Sequence, residues 1–177
     1  TATKKMRTKC LINCAGAWGG PLAKICGYES PVWAGRRQVS IFSCREVDMR
    51  QSGMIVDTSG VYFHPEADQI LAGWADPNEA RGFNLEYDGL KFFEEKIWMP
   101  LYERSSKFES LKHITGWGGL YEMTPDCSGI IGEAPGQKNI FESHGFSGRG
   151  AMQSFAAGRG LAEWIAFGKF QTLDLSS

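Results

Sequence analysis

Two glycine-rich turns, one near each end of the chain, have the composition of a ligand-binding site. The 13–18 turn reads Asn-Cys-Ala-Gly-Ala-Trp, and the 144–150 turn reads His-Gly-Phe-Ser-Gly-Arg-Gly. Glycine lets the backbone approach a flat or anionic ligand, and a helical pattern follows each turn. The first N–H groups of a helix lack partners within the helix and carry the positive end of its dipole. We therefore predict that both turns contribute to one bound ligand.

The patterns around these turns predict the elements that position them. A strand over 8–13 precedes the first turn, and a helix over 18–26, ended by Gly27, follows it. A helix over 151–167 follows the second turn, and its small residues allow close packing. Between the turns, short apolar runs separated by Gly, Pro, Ser and Asp predict antiparallel strands. These runs lie at 39–42, 54–56, 61–63 and 70–72, with a turn at 57–60.

Two further elements complete the pattern. Apolar residues at helical spacing predict a helix from Leu90 to Leu101 lying on a sheet, with Pro100 limiting its end. Residues 111–121 predict a strand, which three glycines loosen. Glycines inside a strand mark a bulge or a close ligand approach.

Composition narrows the classes of function. The chain has 177 residues, of which 42% are hydrophobic and 22% charged, with a net charge of −1. These values are typical of a folded globular protein and give no reason to expect nucleic-acid binding. No apolar run approaches the length of a membrane span, and no signal-peptide pattern is present. The five cysteines include no C-x-x-C pair, which favours a reducing compartment, with Cys10 and Cys14 buried on one face of a strand.

Polar residues outside the turns give weaker signals. His64, His113 and His144 have no acid partner at a telling spacing, and no Ser-His-Asp set or metal cluster is evident. Arg36 and Arg37 follow one another in a predicted strand. A guanidinium suits bidentate binding of a carboxylate. The alternative is a pair of structural arginines, one facing solvent and one salt-bridged.

The order of several motifs resembles the FAD-dependent D-amino-acid oxidase superfamily. The matching segments are 13–18, Thr124-Pro125-Asp126 with Ile130-Ile131-Gly132, and 145–148 with Gly158 and Leu161-Ala162-Glu163. Further segments resemble a branch of that family associated with respiratory complex I assembly; they lie at 59–63, 92–96, 108–112 and 170–175. The resemblance covers nearly the whole chain. It implies an α+β fold with a mainly antiparallel substrate-domain sheet, flanking helices and C-terminal segments of an FAD-binding domain.

The resemblance also sets an expected domain organisation. Members of the family begin with a strand, a G-x-G-x-x-G turn and a helix that hold the ADP pyrophosphate, and this sequence has no such motif. We therefore expect a C-terminal portion of a longer flavoenzyme, or a truncated relative. Residues 1–30 would end one segment of the FAD-binding domain, 31–112 would form the substrate-binding domain, and 113–177 would return to the FAD-binding domain.

Individual positions take roles from the resemblance. The residues implied to line the cofactor are Ala15, Gly16, Ala17, Gly119, Gly145, Phe146, Ser147, Gly148, Arg149, Gly150 and Met152. Relatives commonly carry His at Arg149, and some carry a lysine linked to oxygen reactivity at Met152. Gly119 stands where some relatives attach flavin through a cysteine, so the resemblance implies non-covalent FAD. Tyr121 and Arg37 are the expected catalytic residues that would bind a substrate carboxylate, although an ordinary buried tyrosine fits Tyr121 almost equally.

The implied reaction is the oxidation of a C–N bond in a small amine or amino acid by hydride transfer to FAD. The alternatives are a non-catalytic scaffold or assembly factor that keeps the flavoprotein fold, and an inactive fragment. The expected partners are the substrate and either an electron acceptor or an assembly partner, with no nucleic acid and no membrane span. Both a monomer and an oligomer are compatible with the sequence. The expected location is the cytoplasm or, alternatively, the mitochondrial matrix.

Overall fold

A computed structural model describes residues 5–175, and these divide into two compact units. The first unit is built from both ends of the chain, Thr1–Ala34 and Tyr121–Ser177. The second unit is the continuous segment Gly35–Leu120. The expected assignment of 1–30 and 113–177 to an FAD-binding domain and of 31–112 to a substrate-binding domain stays a prediction.

The first unit contains a three-stranded sheet with one long helix packed on it. Strand β1 (Leu11–Asn13) pairs in parallel with β8 (Ile140–His144), which pairs antiparallel with β7 (Ile130–Glu133). After β1 a 3₁₀ turn at Gly16–Trp18 leads into α1 (Gly19–Ile25). The long helix, α4 (Gly150–Phe167), packs on β7 and β8.

The second unit contains a five-stranded sheet covered on one face by helical segments. The strands are β2 (Trp33–Ser43), β3 (Ile55–Val56), β4 (Tyr62–Glu66), β5 (Gln69–Trp74) and β6 (Lys112–Met123), in the spatial order β3-β4-β5-β2-β6. β3, β4, β5 and β2 pair antiparallel, which confirms the expected mainly antiparallel sheet. The predicted turn at 57–60 is also present, closed by the N–H of Asp57 on the carbonyl of Val61 at 2.8 Å.

The helical layer of the second unit runs through Pro100 instead of ending there. α2 (Leu90–Phe92) continues as a π-helical segment, Phe93–Trp98, and then as α3 (Met99–Arg104). The predicted limit at Pro100 is wrong because Pro100 lies in the first turn of α3, where a missing N–H costs no hydrogen bond. Phe93, Ile97 and Leu101 are buried as predicted, and they pack in the main apolar cluster.

The first strand is shorter than the prediction. β1 begins at Leu11 instead of residue 8, because the side chain of Thr8 bonds the N–H and the carbonyl of Cys10 and turns the chain there. Cys14 lies beyond the strand end and is exposed, so its predicted burial beside Cys10 is wrong.

Candidate functional site

The 144–150 turn adopts the backbone conformations that its glycines predict. Gly145 and Gly148 have φ values of 81° and 94°, and Ser147 between them has a φ of 52°. A β-carbon at Gly145 would stand 2.6 Å from Cγ2 of Thr124, so a side chain there would collide with the neighbouring strand end. Phe146 is buried beneath the turn. The turn therefore presents backbone, and little side chain, at its outer surface.

The turn delivers the chain into the start of α4. Arg149 occupies the N-cap position, and no side chain caps the first turn of the helix. The Arg149 guanidinium donates to the carbonyl of Cys127. Met152 follows on the helix with an exposed side chain. The uncapped N–H groups and the positive helix end provide an electrostatic environment that favours an anion.

The 13–18 turn is anchored by a buried asparagine at the end of β1. Asn13 donates from Nδ2 to the carbonyl of Gly19 and to the hydroxyl of Tyr28, each at 3.0 Å. Its Oδ1 accepts the N–H of Ala15 at 3.2 Å. Gly16 then takes a φ of 57°, and Ala17 is buried. These bonds fix the turn against the start of α1.

Glu122 joins the two turns. Its main-chain carbonyl accepts the N–H of Ser147 at 3.0 Å, and its Oε1 accepts the N–H of Phe146 at 3.4 Å. Its Oε2 lies 3.4 Å from the position that a β-carbon on Gly16 would take. Although Cys14 is exposed as a residue, partial desolvation of its thiol and the Glu122 carboxylate raise the pKa of that thiol. Sequence reasoning places both turns at strand ends but assigns no role to Glu122; the available signal is that it is the only carboxylate in β6.

Threonine and serine hydroxyls hold the 144–150 turn against the end of β6. The Ser147 hydroxyl accepts the N–H of Thr124 at 3.3 Å. Thr124 donates from its own hydroxyl to the carbonyl of Ser128 at 2.9 Å. These contacts connect the turn to the Thr124-Pro125-Asp126 segment.

Tyr121 packs against the same turn. A β-carbon on Gly148 would stand 2.3 Å from Cε2 of the Tyr121 ring, so only glycine fits beneath it. Two residues earlier on β6, Gly119 has the opposite environment. No described atom outside its chain neighbours lies within 4 Å of the position that a β-carbon on Gly119 would take. Gly119 is thus open to a ligand, whereas Gly116 and Gly118 are closed by the 85–87 segment of the protein itself.

The two adjacent arginines of β2 have different environments. Arg36 binds Glu79 through Nε at 3.0 Å, and its two terminal nitrogens bind Asp88 at 3.0 and 3.2 Å. The donors of Arg36 are therefore largely used within the protein, which agrees with the alternative that one of the two arginines is salt-bridged. Alternation along a strand places Arg37 on the other face of the sheet. Arg37 donates from Nη1 to the carbonyl of Arg36 at 2.7 Å.

His144 has an acid partner that the sequence analysis did not predict. Its Nε2 lies 2.8 Å from Oε1 of Glu142, and both residues are buried. Residues two apart in a strand share a face, which explains the pairing. Burial, the largest single cause, raises the pKa of Glu142, but the bond and charge of His144 together with bonds from Ser30 and Tyr28 hold the pKa below its usual value. Nδ1 of His144 packs towards Gly19 and has no hydrogen-bond partner among the described residues.

Residues 5–175 contain neither a membrane-spanning helix nor a metal cluster. No helix in this range is long and apolar enough to cross a bilayer. No group of three or more His, Cys, Asp or Glu side chains there is arranged to hold a metal ion.

The fold is that of amino-acid-oxidising flavoenzymes. L-proline dehydrogenase from P. horikoshii superposes with a TM-score of 0.81 at 22% identity, over 94% of this chain and 45% of that one. Glycine oxidase from Geobacillus kaustophilus superposes with a TM-score of 0.78 at 18% identity, over 95% of this chain and 44% of that one. These likenesses define the class of fold.

Sequence comparison identifies the family. The model of the FAD dependent oxidoreductase family, DAO, matches residues 1–164, and the chain belongs to that family. The chain is 37% identical to FAD-dependent oxidoreductase domain-containing protein 1 of Xenopus laevis, over 94% of its own length and 36% of the relative's. The family predicted from the motifs is confirmed.

Two more distant relatives have names that describe different roles, a dehydrogenase and a regulatory subunit. Human mitochondrial sarcosine dehydrogenase is 23% identical over 93% of this chain and 19% of the relative. The mouse mitochondrial pyruvate dehydrogenase phosphatase regulatory subunit is 25% identical over 94% of this chain and 20% of the relative. The chain thus spans little more than a third of the first relative and about a fifth of these two.

The geometry fits part of an FAD molecule. Two turns that expose backbone and an uncapped helix start, all in the first unit, suit the flat ring and its negative charge. The 177 residues contain no G-x-G-x-x-G motif for the ADP pyrophosphate.

Proposed function

We propose that this chain is the C-terminal portion of an FAD-dependent oxidoreductase that oxidises a C–N bond of an amine or amino acid. The observation that carries the proposal is the uncapped start of α4 behind the 144–150 turn, which is bonded to Glu122, whose carboxylate lies beside Gly16 of the 13–18 turn. Relatives whose names specify sarcosine, glycine and proline support the substrate class. The FAD is proposed to be non-covalent, since Gly119 has no side chain to attach it.

Bound FAD would supply the redox chemistry by accepting a hydride from the substrate carbon. The residues proposed to hold it are those of the two turns, Gly119 and the start of α4. Backbone N–H groups of α4 would stabilise negative charge, a contribution of about 1 kcal/mol or more at a partly buried helix terminus. Arg149 adds positive charge to this end of the helix.

Two residues are proposed to orient the substrate. Arg37 is proposed to bind a carboxylate, because a guanidinium can hold both carboxylate oxygens through two donors. The Tyr121 hydroxyl would donate to a substrate oxygen while its ring rests on Gly148. No residue is assigned as a general base.

The proposal is tested by the visible spectrum of the protein that carries this chain and by the variant Gly119→Val. The unsubstituted protein is expected to show flavin absorption near about 450 nm that a small amino acid bleaches without oxygen. Valine suits a strand and meets no protein atom at this position, so the fold should persist. Its side chain would occupy ligand space and weaken FAD binding about tenfold or more, equivalent to about 1.4 kcal/mol.

Gly53→Val is the matched control, since Gly53 is exposed and equally open but lies in a loop. This variant should keep normal FAD binding. A protein without flavin, even after FAD is added, would contradict the proposal. Gly148→Val is a poor test, because its β-carbon would strike Tyr121 and disturb the fold whether or not FAD binds.

A scaffold function is the second candidate. It is favoured by the similarity to a protein whose name, a regulatory subunit, specifies no reaction of its own. Under this proposal a protein partner replaces the small substrate and the electron acceptor. Binding of that partner would survive Gly119→Val while FAD is lost, whereas an enzyme would lose amine-dependent reduction. Cytoplasm and mitochondrial matrix both stay proposed locations, the latter supported by relatives named as mitochondrial.

A further inference from the structure

We propose that Glu122 is a positioning residue that holds the two glycine turns in register and sets a negative charge beside the flavin, lowering its reduction potential. The inference rests on the proposed function, because it concerns the same site. The negative charge of Glu122 would oppose the stabilisation of negative charge by the N-terminus of α4.

The positioning part of the inference follows from how Glu122 reaches each turn. Its backbone bonds Ser147 and its Oε1 bonds Phe146, so both ends of the residue hold the 144–150 turn. Its Oε2 lies 3.4 Å from the position that a β-carbon on Gly16 would take, so the carboxylate lies beside the 13–18 turn. A shorter side chain at 122 would leave the N–H of Phe146 without this acceptor and open a gap beside Gly16.

The electrostatic part follows from the absence of a neutralising partner. Among residues 5–175 the ion pairs do not include Glu122, so its charge is not balanced by a nearby Lys or Arg. The charge is felt locally, since it helps to raise the pKa of Cys14 on the neighbouring turn. Negative charge beside a group that gains electrons makes its reduction less favourable.

The experiment compares Glu122→Gln, Glu122→Ala and the control Glu29→Gln in the protein that carries the chain. Glutamine keeps the acceptor oxygen for Phe146 but removes the charge, and alanine removes both. Glu29 is an exposed carboxylate of the same unit, so its substitution changes the net charge equally. The readouts are the FAD dissociation constant, the midpoint potential of bound FAD and the pH dependence of Cys14 alkylation, followed by peptide mass spectrometry.

Glu122→Gln should bind FAD as tightly as the unsubstituted protein or more tightly. Its potential should rise by about 30 mV, which corresponds to a tenfold shift for a two-electron couple. Alkylation of Cys14 should move to lower pH in the same variant. Glu122→Ala should show the same changes in midpoint potential and in Cys14 alkylation, but it should also bind FAD more weakly. Glutamine would then restore the positioning that alanine loses, without restoring the charge. Glu29→Gln should change none of the three readouts.

The two proposals fail differently. Absence of flavin from the unsubstituted protein would overturn the proposed function, and this inference with it. Bound flavin whose potential is unchanged in Glu122→Gln would overturn this inference alone. Equal FAD affinity in the alanine and glutamine variants would overturn its positioning part.

Discussion

Ala67 adopts a backbone conformation that favours glycine. It lies in the two-residue loop between Glu66 and Gln69, which pair at the end of the β4–β5 hairpin, and its φ is 53°. Glycine is the common residue where such a loop requires a positive φ. Ala67→Gly should therefore stabilise the chain by about 0.5–1 kcal/mol, the relief of left-handed strain less the added entropy of the unfolded chain.

Urea unfolding followed by circular dichroism measures this change. Ala80→Gly is the control, because Ala80 is exposed and has a negative φ. There only the entropic cost remains, so the control should be neutral or destabilised. A lower urea midpoint for Ala67→Gly than for the unsubstituted chain would refute the argument.

The sequence predicts the conformation of a residue where its neighbours in the chain determine that conformation. Glycine composition predicted a turn at 144–150 that exposes its backbone, and Gly145 and Gly148 have positive φ there. The bonds of Glu122 and the pairing of Arg36 with Asp88 were not predicted, because each joins residues that are distant in sequence. The roles of Arg37 and Tyr121 stay predictions.

The C-terminal segment is fastened to α4 by one carboxylate. Glu163 accepts the N–H groups of Gln171 and Thr172 at 2.8 and 2.9 Å, and its other oxygen binds the Thr172 hydroxyl and Arg159. Bonds from Thr172 are the largest cause that lowers the pKa of Glu163 to about 2 from an ordinary value of 4.5. The ionised form is thus favoured in the folded chain.

This shift predicts a pH dependence with a definite sign. Because the folded-state pKa is lower than the unfolded value, the stabilisation from Glu163 is fully present above pH 4.5 and is lost as the pH falls towards about 2. Urea midpoints of the unsubstituted chain and Glu163→Gln, measured across this range, should differ most near neutral pH and converge in acid. Glu103→Gln, at an exposed site, should run parallel to the unsubstituted chain. A constant gap for Glu163→Gln would contradict the linkage.

The sequence predicts a strand of the second sheet, whereas it does not predict the π-helical segment Phe93–Trp98. The predicted run 70–72 lies within β5 because local apolar patterning and flanking turn residues determine a hairpin strand. The continuation past Pro100 depends on a π-helical segment packed in the core, which no local pattern encodes. Gly118 was expected to mark a close approach, and the approaching group is the carbonyl of Leu85.

At the scale of the whole molecule, the second unit should fold independently. Its apolar cluster, which includes Phe42, Phe63 and Ile97, lies wholly within Gly35–Leu120. A domain with its own core can fold when separated from the rest. The isolated segment 35–120 is expected to unfold cooperatively on heating, as measured by near-ultraviolet circular dichroism.

The comparison is the segment 121–175, which lacks β1, the parallel partner of β8. It should show no cooperative transition. A molten 35–120 fragment, with secondary structure but no near-ultraviolet signal, would count against an autonomous second unit. Composition and motif order predicted the α+β class and the family, but only the packed chain defines which residues form each core.

The parallel pairing of Leu11 with Ile140 has a consequence for synthesis of the chain. These partners are separated by the entire second unit, so the first unit has a high contact order and should form slowly. During synthesis β1 is made before β8, so the backbone edge of β1 would lack its partner strand until β8 has been translated. The second unit can meanwhile fold on its own, so the period of greatest aggregation risk lies between the synthesis of β1 and the synthesis of β8.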